Sequence, residues 1–311
     1  MLGWLLSGAG VVVIFAGLLG VPAALGGAGQ PDGENLDLVA VPLIFVAMVI
    51  GALLITRGRQ WRILPAVESL RRDRRPPVLF LRSFDDDDLV DPTPRMIPLG
   101  AFFARTYEES LVGALNSVGP VVSIGRPTET LARLGSGRLF VPDHAWRTAV
   151  DHLRQCSAAV VVMVGRSDGV WWEITSCLDR VPRAALLFFF PYVEDAAKRR
   201  SWWRRLLAFH PAEVPLWSSP YRRMKREREA RYALFRDRVG PLLAGKLPPT
   251  LGDSLFIDFL PDGSPRALKT VRPGWWPLAL LTPSLRHMLA NPAATLRPFV
   301  DKLGSLSGRI G

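Results

Sequence analysis

"VVVMVGRSDGVWWEI", residues 160–174, is the stretch on which the reading of this chain turns. Its first half is an unbroken apolar run without the alternation of a half-solvated strand, so it reads as a strand buried on both faces. Gly165, Ser167, Asp168 and Gly169 supply a turn, and a helical pattern begins near Val170. Strand, tight turn and helix in that order form the repeating unit of a layered α/β structure. The stretch also offers two residues for chemistry. Gly165, Ser167 and Gly169 have the GxSxG spacing of a nucleophile elbow, with Ser167 as nucleophile. Alternatively, the turn serves to present Glu173 at the start of the helix.

The surroundings extend the α/β reading. "VLFLRSF" (78–84) is another short, nearly continuous apolar strand, followed by the acidic loop "DDDDLVDPTPR". Phe103, Tyr107, Leu111 and Leu115 recur at helical intervals, and Gly119 and Pro120 stop that helix. "PVVSIGRP" (120–127) is a second strand. A short extended piece and a helix follow in "RLFVPDHAWRTAVDHLRQC", where Trp146, Val150 and Leu153 share a face and Asp143 is the expected N-cap. After the helix that carries Glu173 comes a further apolar run, "AALLFFFP". Apolar strands separated by helix-length patterns imply a parallel sheet between helical layers, so residues 77–192 are expected to form a flavodoxin-like α/β domain.

Residues 193–311 are expected to form a basic, mainly helical extension. "KRRSWWRRLLAFH" places Trp202 and Trp203 between basic pairs, which reads either as an interfacial anchor or as a packed helix face. "YRRMKREREARYALFRDRVGPLL" is helical in pattern with mixed charge. "SLFIDFLPDGSPRAL" (254–268) reads as a hairpin turning at Pro261, Asp262 and Gly263, or as a last sheet strand and its exit.

The amino-terminal region is of another kind. Residues 2–25 contain no charge, and residues 38–55 are again uncharged and almost wholly apolar, so each is long enough to cross a bilayer as a helix. No Lys or Arg precedes the first run, which argues for a retained helix rather than a cleaved signal. The connection carries Asp32, Glu34 and Asp37 and no basic residue, whereas Arg57, Arg59, Arg62, Arg71, Arg72, Arg74 and Arg75 follow the second run. The excess of basic residues sets a transmembrane hairpin over 1–56, a basic juxtamembrane linker over 57–76, and both termini in the cytoplasm of an inner membrane. The net charge of +11 is concentrated after the second run and between residues 198 and 238. Neither stretch has the form of a nucleic-acid reading motif, so anionic lipid headgroups are the expected partner. Cys156 and Cys177 form no disulfide framework, in keeping with a reducing compartment.

A hydrolase built on Ser167 needs a histidine and an oxyanion hole. Downstream only His210 and His287 are available, both in segments that read as basic or interfacial, and no HGG-like segment precedes Ser167. Glu173 has more around it. Trp171 and Trp172 offer a flat apolar wall against which a nicotinamide or adenine ring can stack. Arg82, Arg126 and Arg166 each follow a predicted strand on the same edge of the sheet, where open α/β sheets place their ligands, and are candidates for a pyrophosphate. The aspartate run 85–88 reads as a solvated loop. His144 and His152 lack companions at metal-ligand spacing, so no metal site is expected.

The order of elements resembles a TIR domain. A first strand ends in Ser83, Phe84, Asp85 and Asp86, a helix and a second strand follow, another helix precedes "AAVVVMVG", and then a serine, a tryptophan and a glutamate stand at a helix start. The resemblance covers about Val78 to Pro191, lies more in element order than in identity, and is closest to bacterial membrane-tethered TIR-like proteins. It matches Ser167, Trp171 and Glu173 to the family's serine, tryptophan and glutamate. It implies a signalling or defence role through self-association, with NAD as substrate and no bound cofactor, and cleavage of the nicotinamide–ribose bond by Glu173. Trp171 and Glu173 stand two residues apart, where the family's tryptophan and glutamate stand about one helical turn apart. One carboxylate suffices for this chemistry, because the cleavage builds positive charge on the sugar and the leaving pyridine is neutral. The competing reading is a non-enzymatic interaction scaffold in which Glu173 merely favours the positive end of its helix.

Overall fold

The structure is a computed structural model of the 311-residue chain. It describes residues 2–20, 43–44, 46–48, 50–51, 53–55, 57–58, 64–82, 89–90, 107–125, 136–142, 144–192, 194–195, 218–243, 246–271 and 291–307. Among these, the residues up to 64 form one compact unit and those from 65 onward a second.

In the first unit, α1 (Leu2–Phe15) continues through a wider turn, Ala16–Gly20. Leu2–Leu19 is long and apolar enough to cross a membrane by length and composition, at roughly 27 Å for 18 residues rising 1.5 Å each. The described residues between 43 and 58 are helical as well. The two segments approach through small residues. A Cβ on Gly10 or on Gly51 would overlap the other's carbonyl oxygen, one on Gly17 would overlap Ala47, and one on Gly58 would overlap Ser7 and the Gly3 carbonyl.

The second unit is a seven-stranded sheet covered on both faces. Its elements in chain order are α2 (Ala66–Arg72), β1 (Val78–Leu81), α3 (Tyr107–Leu115), β2 (Val121–Gly125), β3 (Gly137–Phe140), α4 (Trp146–Cys156), β4 (Ala159–Met163), α5 (Asp168–Arg180), β5 (Leu186–Phe189), α6 (Ser218–Val239), β6 (Phe256–Phe259), β7 (Pro265–Leu268) and α7 (Pro292–Ser307). The spatial order is β3-β2-β1-β4-β5-β6-β7. The first five strands are parallel, in registers such as Val78 to Ala159 and Val160 to Leu186. β6 runs antiparallel to β5, and β7 antiparallel to β6. Leu89–Val90 and Glu194–Asp195 form a separate antiparallel pair.

Burial on both faces explains the strands' composition. Leu79, Leu81, Val160, Val162 and Phe188 point to one side, where Val150 of α4, Ile174 of α5 and Tyr232, Phe235 and Val239 of α6 cover them. Val78, Phe80, Val161, Leu187 and Phe189 point to the other, under Leu111 and Leu115 of α3 and Leu296 and Phe299 of α7. With both faces dry, both members of each alternating pair are apolar. Gly119 stands where α3 turns toward β2, and a Cβ there would overlap the Pro76 carbonyl at the start of β1.

Several expectations change. The parallel flavodoxin-like sheet is expected to end near 192, yet the observed sheet is mixed and draws its last two strands from beyond that point. The boundary at 192 does not divide the core. Phe188 and Phe190 pack against Phe235, and Asp258 ties β6 to β7 and α7 by accepting from Arg266 at 2.8 and 3.0 Å and from Lys302 at 3.4 Å. The 254–268 segment is both things its sequence offers, a hairpin and the end of the sheet. The linker expected over 57–76 also contributes to the domain, since Ala66 of α2 is fully buried. Ala145 occupies the N-cap position of α4, and Asp143, with Trp202 and Trp203, lies outside the described residues.

Candidate functional site at the start of α5

β1 and β4 are neighbours from which the chain proceeds in opposite directions across the sheet, and α5 begins at the carboxyl end of β4. Open α/β sheets bind ligands in the crevice at such a reversal. The helix starts there because Ser167 caps it, accepting from the Val170 N–H at 3.4 Å in an extended backbone conformation. Ser167 is therefore placed as a cap. His210 and His287, the histidines a triad requires, lie outside the described residues.

Glu173 sits one turn into α5, only 6 % exposed, and among the described residues its Oε2 has no hydrogen-bond partner. Burial pushes its carboxyl up to about 8, so it is largely neutral at pH 7. One turn further, burial and the neighbouring Glu173 push the Cys177 thiol up to about 12, which makes it inert. Arg154, a cation on this side of the helix, is otherwise engaged, donating to Ser176 Oγ at 2.5 Å and pairing with Asp151 at 2.8 Å. A buried acid without a partner is costly, and such groups concentrate where a protein binds or reacts.

The two tryptophans do not form one wall. Trp171 is buried, its indole Nε1 has no partner among the described residues, and the guanidinium of Arg238 from α6 lies 4.6 Å from its ring centre. Trp172 is half-buried on the side of α4, edge-on to Trp146 with centroids 5.0 Å apart and planes at 83°. Arg147 covers that pair, 5.4 Å from one ring and 5.3 Å from the other. With about 100° between successive helical residues, Trp171 and Glu173 project from nearly opposite sides of α5. A single ring stacked on Trp171 is thus not also against the Glu173 carboxyl, and the expected shared site divides.

The arginines separate in the same way. Arg82 follows β1 as expected but is half-buried and paired with Glu108 at 3.3 Å. Arg166 is exposed immediately before α5. Arg126 lies outside the described residues, as do Ser83, Phe84 and the aspartates 85–88. Trp146, Arg147 and Arg238 join the site without having been singled out for it. Their nearest signal is the Trp-Arg pair opening α4, which reads locally as an ordinary amphipathic start.

Chemically, a neutral carboxyl held this way donates or accepts a hydrogen bond, and an approaching cation stabilises its ionised form. No protein-family model, no curated protein and no solved structure matches the chain.

Proposed function

We propose that the chain is a membrane-anchored, TIR-like signalling or defence protein whose cytoplasmic α/β unit cleaves NAD at the nicotinamide–ribose bond. The observation that carries the reading is the Glu173 carboxyl, buried, without a partner for Oε2, and placed in the first turns of the helix that follows β4. The cationic nicotinamide ring favours its ionisation, and the resulting carboxylate stabilises the positive charge that develops on the ribose. The five parallel strands run in the order β3-β2-β1-β4-β5, and this reading takes β3 as an edge added to a flavodoxin-like core and the β6–β7 hairpin as its antiparallel end. α1 is the anchor, and a second span follows it in the hairpin topology. The close approach of Gly10 to Gly51 supports that second span, as small residues let transmembrane helices meet. Clustering on an anionic bilayer raises the effective concentration of the domain for self-association.

The test is nicotinamide release from NAD by the full chain reconstituted at high density in anionic liposomes, beside Glu173→Gln. Gln preserves size and neutral charge, so the variant should keep its fold and lose release by about a hundredfold or more. Release that survives the substitution, or its absence from densely clustered wild-type protein, would sink the enzymatic reading. Two observations favour the alternative of an assembly scaffold: Glu173 is nearly inaccessible and Arg82 is already paired. The second outcome would transfer the assignment to it.

A further inference from the structure

Three arginines surround the first turn of α5. Arg147 lies over Trp172 from the side of α4, Arg238 over Trp171 from the side of α6, and Arg166 immediately precedes the capping serine in the chain. All three are exposed, and among the described residues none has a carboxylate or hydrogen-bond partner. That sets them apart from Arg82, Arg154, Arg180 and Arg266, each of which is ion-paired. Two of the three are also held in place, each by an indole face, so their position costs little further ordering when a ligand arrives. The same turn holds a buried donor, Trp171 Nε1, that has no partner among the described residues. The one opposing charge on it is Asp168, which is exposed. Donors thus collect here without acceptors to match, which is the chemistry of a site for an oxyanion.

We propose that Arg147, Arg166 and Arg238 form the anchor for a ligand bearing a diphosphate, gripping it from both sides of the first turn of α5. The choice of a nucleoside diphosphate ester as that ligand rests on the proposed function, while the cationic collar itself does not. Planar guanidinium groups fit phosphate oxygens in paired contacts, and the amino-terminal amides of a thirteen-residue helix favour the same charge. The indoles orient Arg147 and Arg238, and the phosphates rather than a ring are what those residues hold. Glu173, further along α5, is left for the sugar end of the ligand.

The experiment uses the full chain in zwitterionic nanodiscs, so that lipid phosphates bear no net negative charge to compete, and titrates it calorimetrically with ADP-ribose and separately with inorganic pyrophosphate. Neither probe contains the bond that the proposed reaction breaks, so binding is read without turnover. Saturable binding of ADP-ribose is expected, weakened about tenfold by Arg147→Gln, by Arg166→Gln and by Arg238→Gln singly, and abolished by the triple variant, which a cooperative thermal transition shows to be folded. Pyrophosphate should bind more weakly with the same order of losses. Should one substitution unfold the protein, Arg→Lys at that position, which keeps the charge and loses the paired geometry, should weaken binding by a smaller factor. Equal affinity in wild-type and triple variant, or no saturation by either probe at millimolar concentration, overturns the proposal. The two readings fail separately. Binding that depends on the arginines without NAD cleavage leaves the anchor standing and removes the enzyme, whereas cleavage that depends on Glu173 but not on the arginines does the reverse.

Discussion

Trp171 and Glu173 are two residues apart on α5 and leave it on nearly opposite sides, the first beneath Arg238 at 4.6 Å and the second buried with Oε2 unpartnered. Their separation has a functional meaning. A substitution at Trp171 acts on what lies between α5 and α6, and one at Glu173 acts on the carboxyl alone. Trp171→Phe keeps the ring but removes the indole N–H. Under the proposed function it should raise KM for NAD severalfold and leave kcat within about twofold, whereas Glu173→Gln should remove kcat. Steady-state kinetics on both variants checks the split, and a matching loss of kcat in Trp171→Phe would place both residues on the reacting atoms.

Glu173 also sets a pH dependence of stability. Its carboxyl titrates near 8 when folded and near 4.5 when free, so between those values unfolding releases a proton. Stability is then complete below about pH 4.5 and declines as pH rises toward 8, by at most about 1.4 kcal/mol per pH unit. Glu173→Gln has no proton to lose. Urea denaturation at pH 5, 6.5 and 8 should show the variant gaining on wild type at each step, and parallel curves would mean that the carboxyl finds a partner.

The same carboxyl sets the pH profile of the proposed reaction. Free protein carries the acid mostly neutral below 8, and the reaction needs it ionised. The specificity constant kcat/KM for NAD should therefore climb with pH, up to tenfold per unit, and level off near 8. A flat profile from pH 6 to 8 would contradict the role given to Glu173.

Ser167 is a helix cap, and its substitution should read as one. Ser167→Ala should cost about 1 kcal/mol in stability, Ser167→Asp should recover it, and a fluorophosphonate probe should leave the folded protein unlabelled. Covalent labelling at Ser167 would restore the nucleophile that the GxSxG spacing suggests.

Asp258 tests where the domain ends. It is fully buried between Arg266 and Lys302, so Asp258→Ala strands two cations and should cost about 3–5 kcal/mol. A chain cut after residue 192 loses β6, α6 and α7 and leaves Phe188, Phe189 and Phe190 uncovered, and it should be insoluble where residues 65–311 fold. Cooperative unfolding by the shorter piece would show that the sheet is complete without its hairpin.

What the sequence determined by itself was local. The apolar runs at 78–81, 121–125, 159–163 and 186–189 are strands because both of their faces are buried. The turn at 165–169 starts a helix because Ser167 caps it, and Leu2–Leu19 is uncharged throughout and long enough to span. Each depends on neighbours within a few residues, where periodicity and capping chemistry act. The tertiary structure alone decided that 256–268 joins the sheet antiparallel, that Arg147 and Arg238 stack on adjacent tryptophans from two different helices, and that among the described residues no group comes to meet Glu173 Oε2. Arg238 lies sixty-seven residues from Trp171 in sequence, and its basic helical segment has the local pattern of a membrane-facing extension. It becomes part of the site because Tyr232, Phe235 and Val239 on the same helix have an apolar sheet face to cover, and burying them carries Arg238 to the indole.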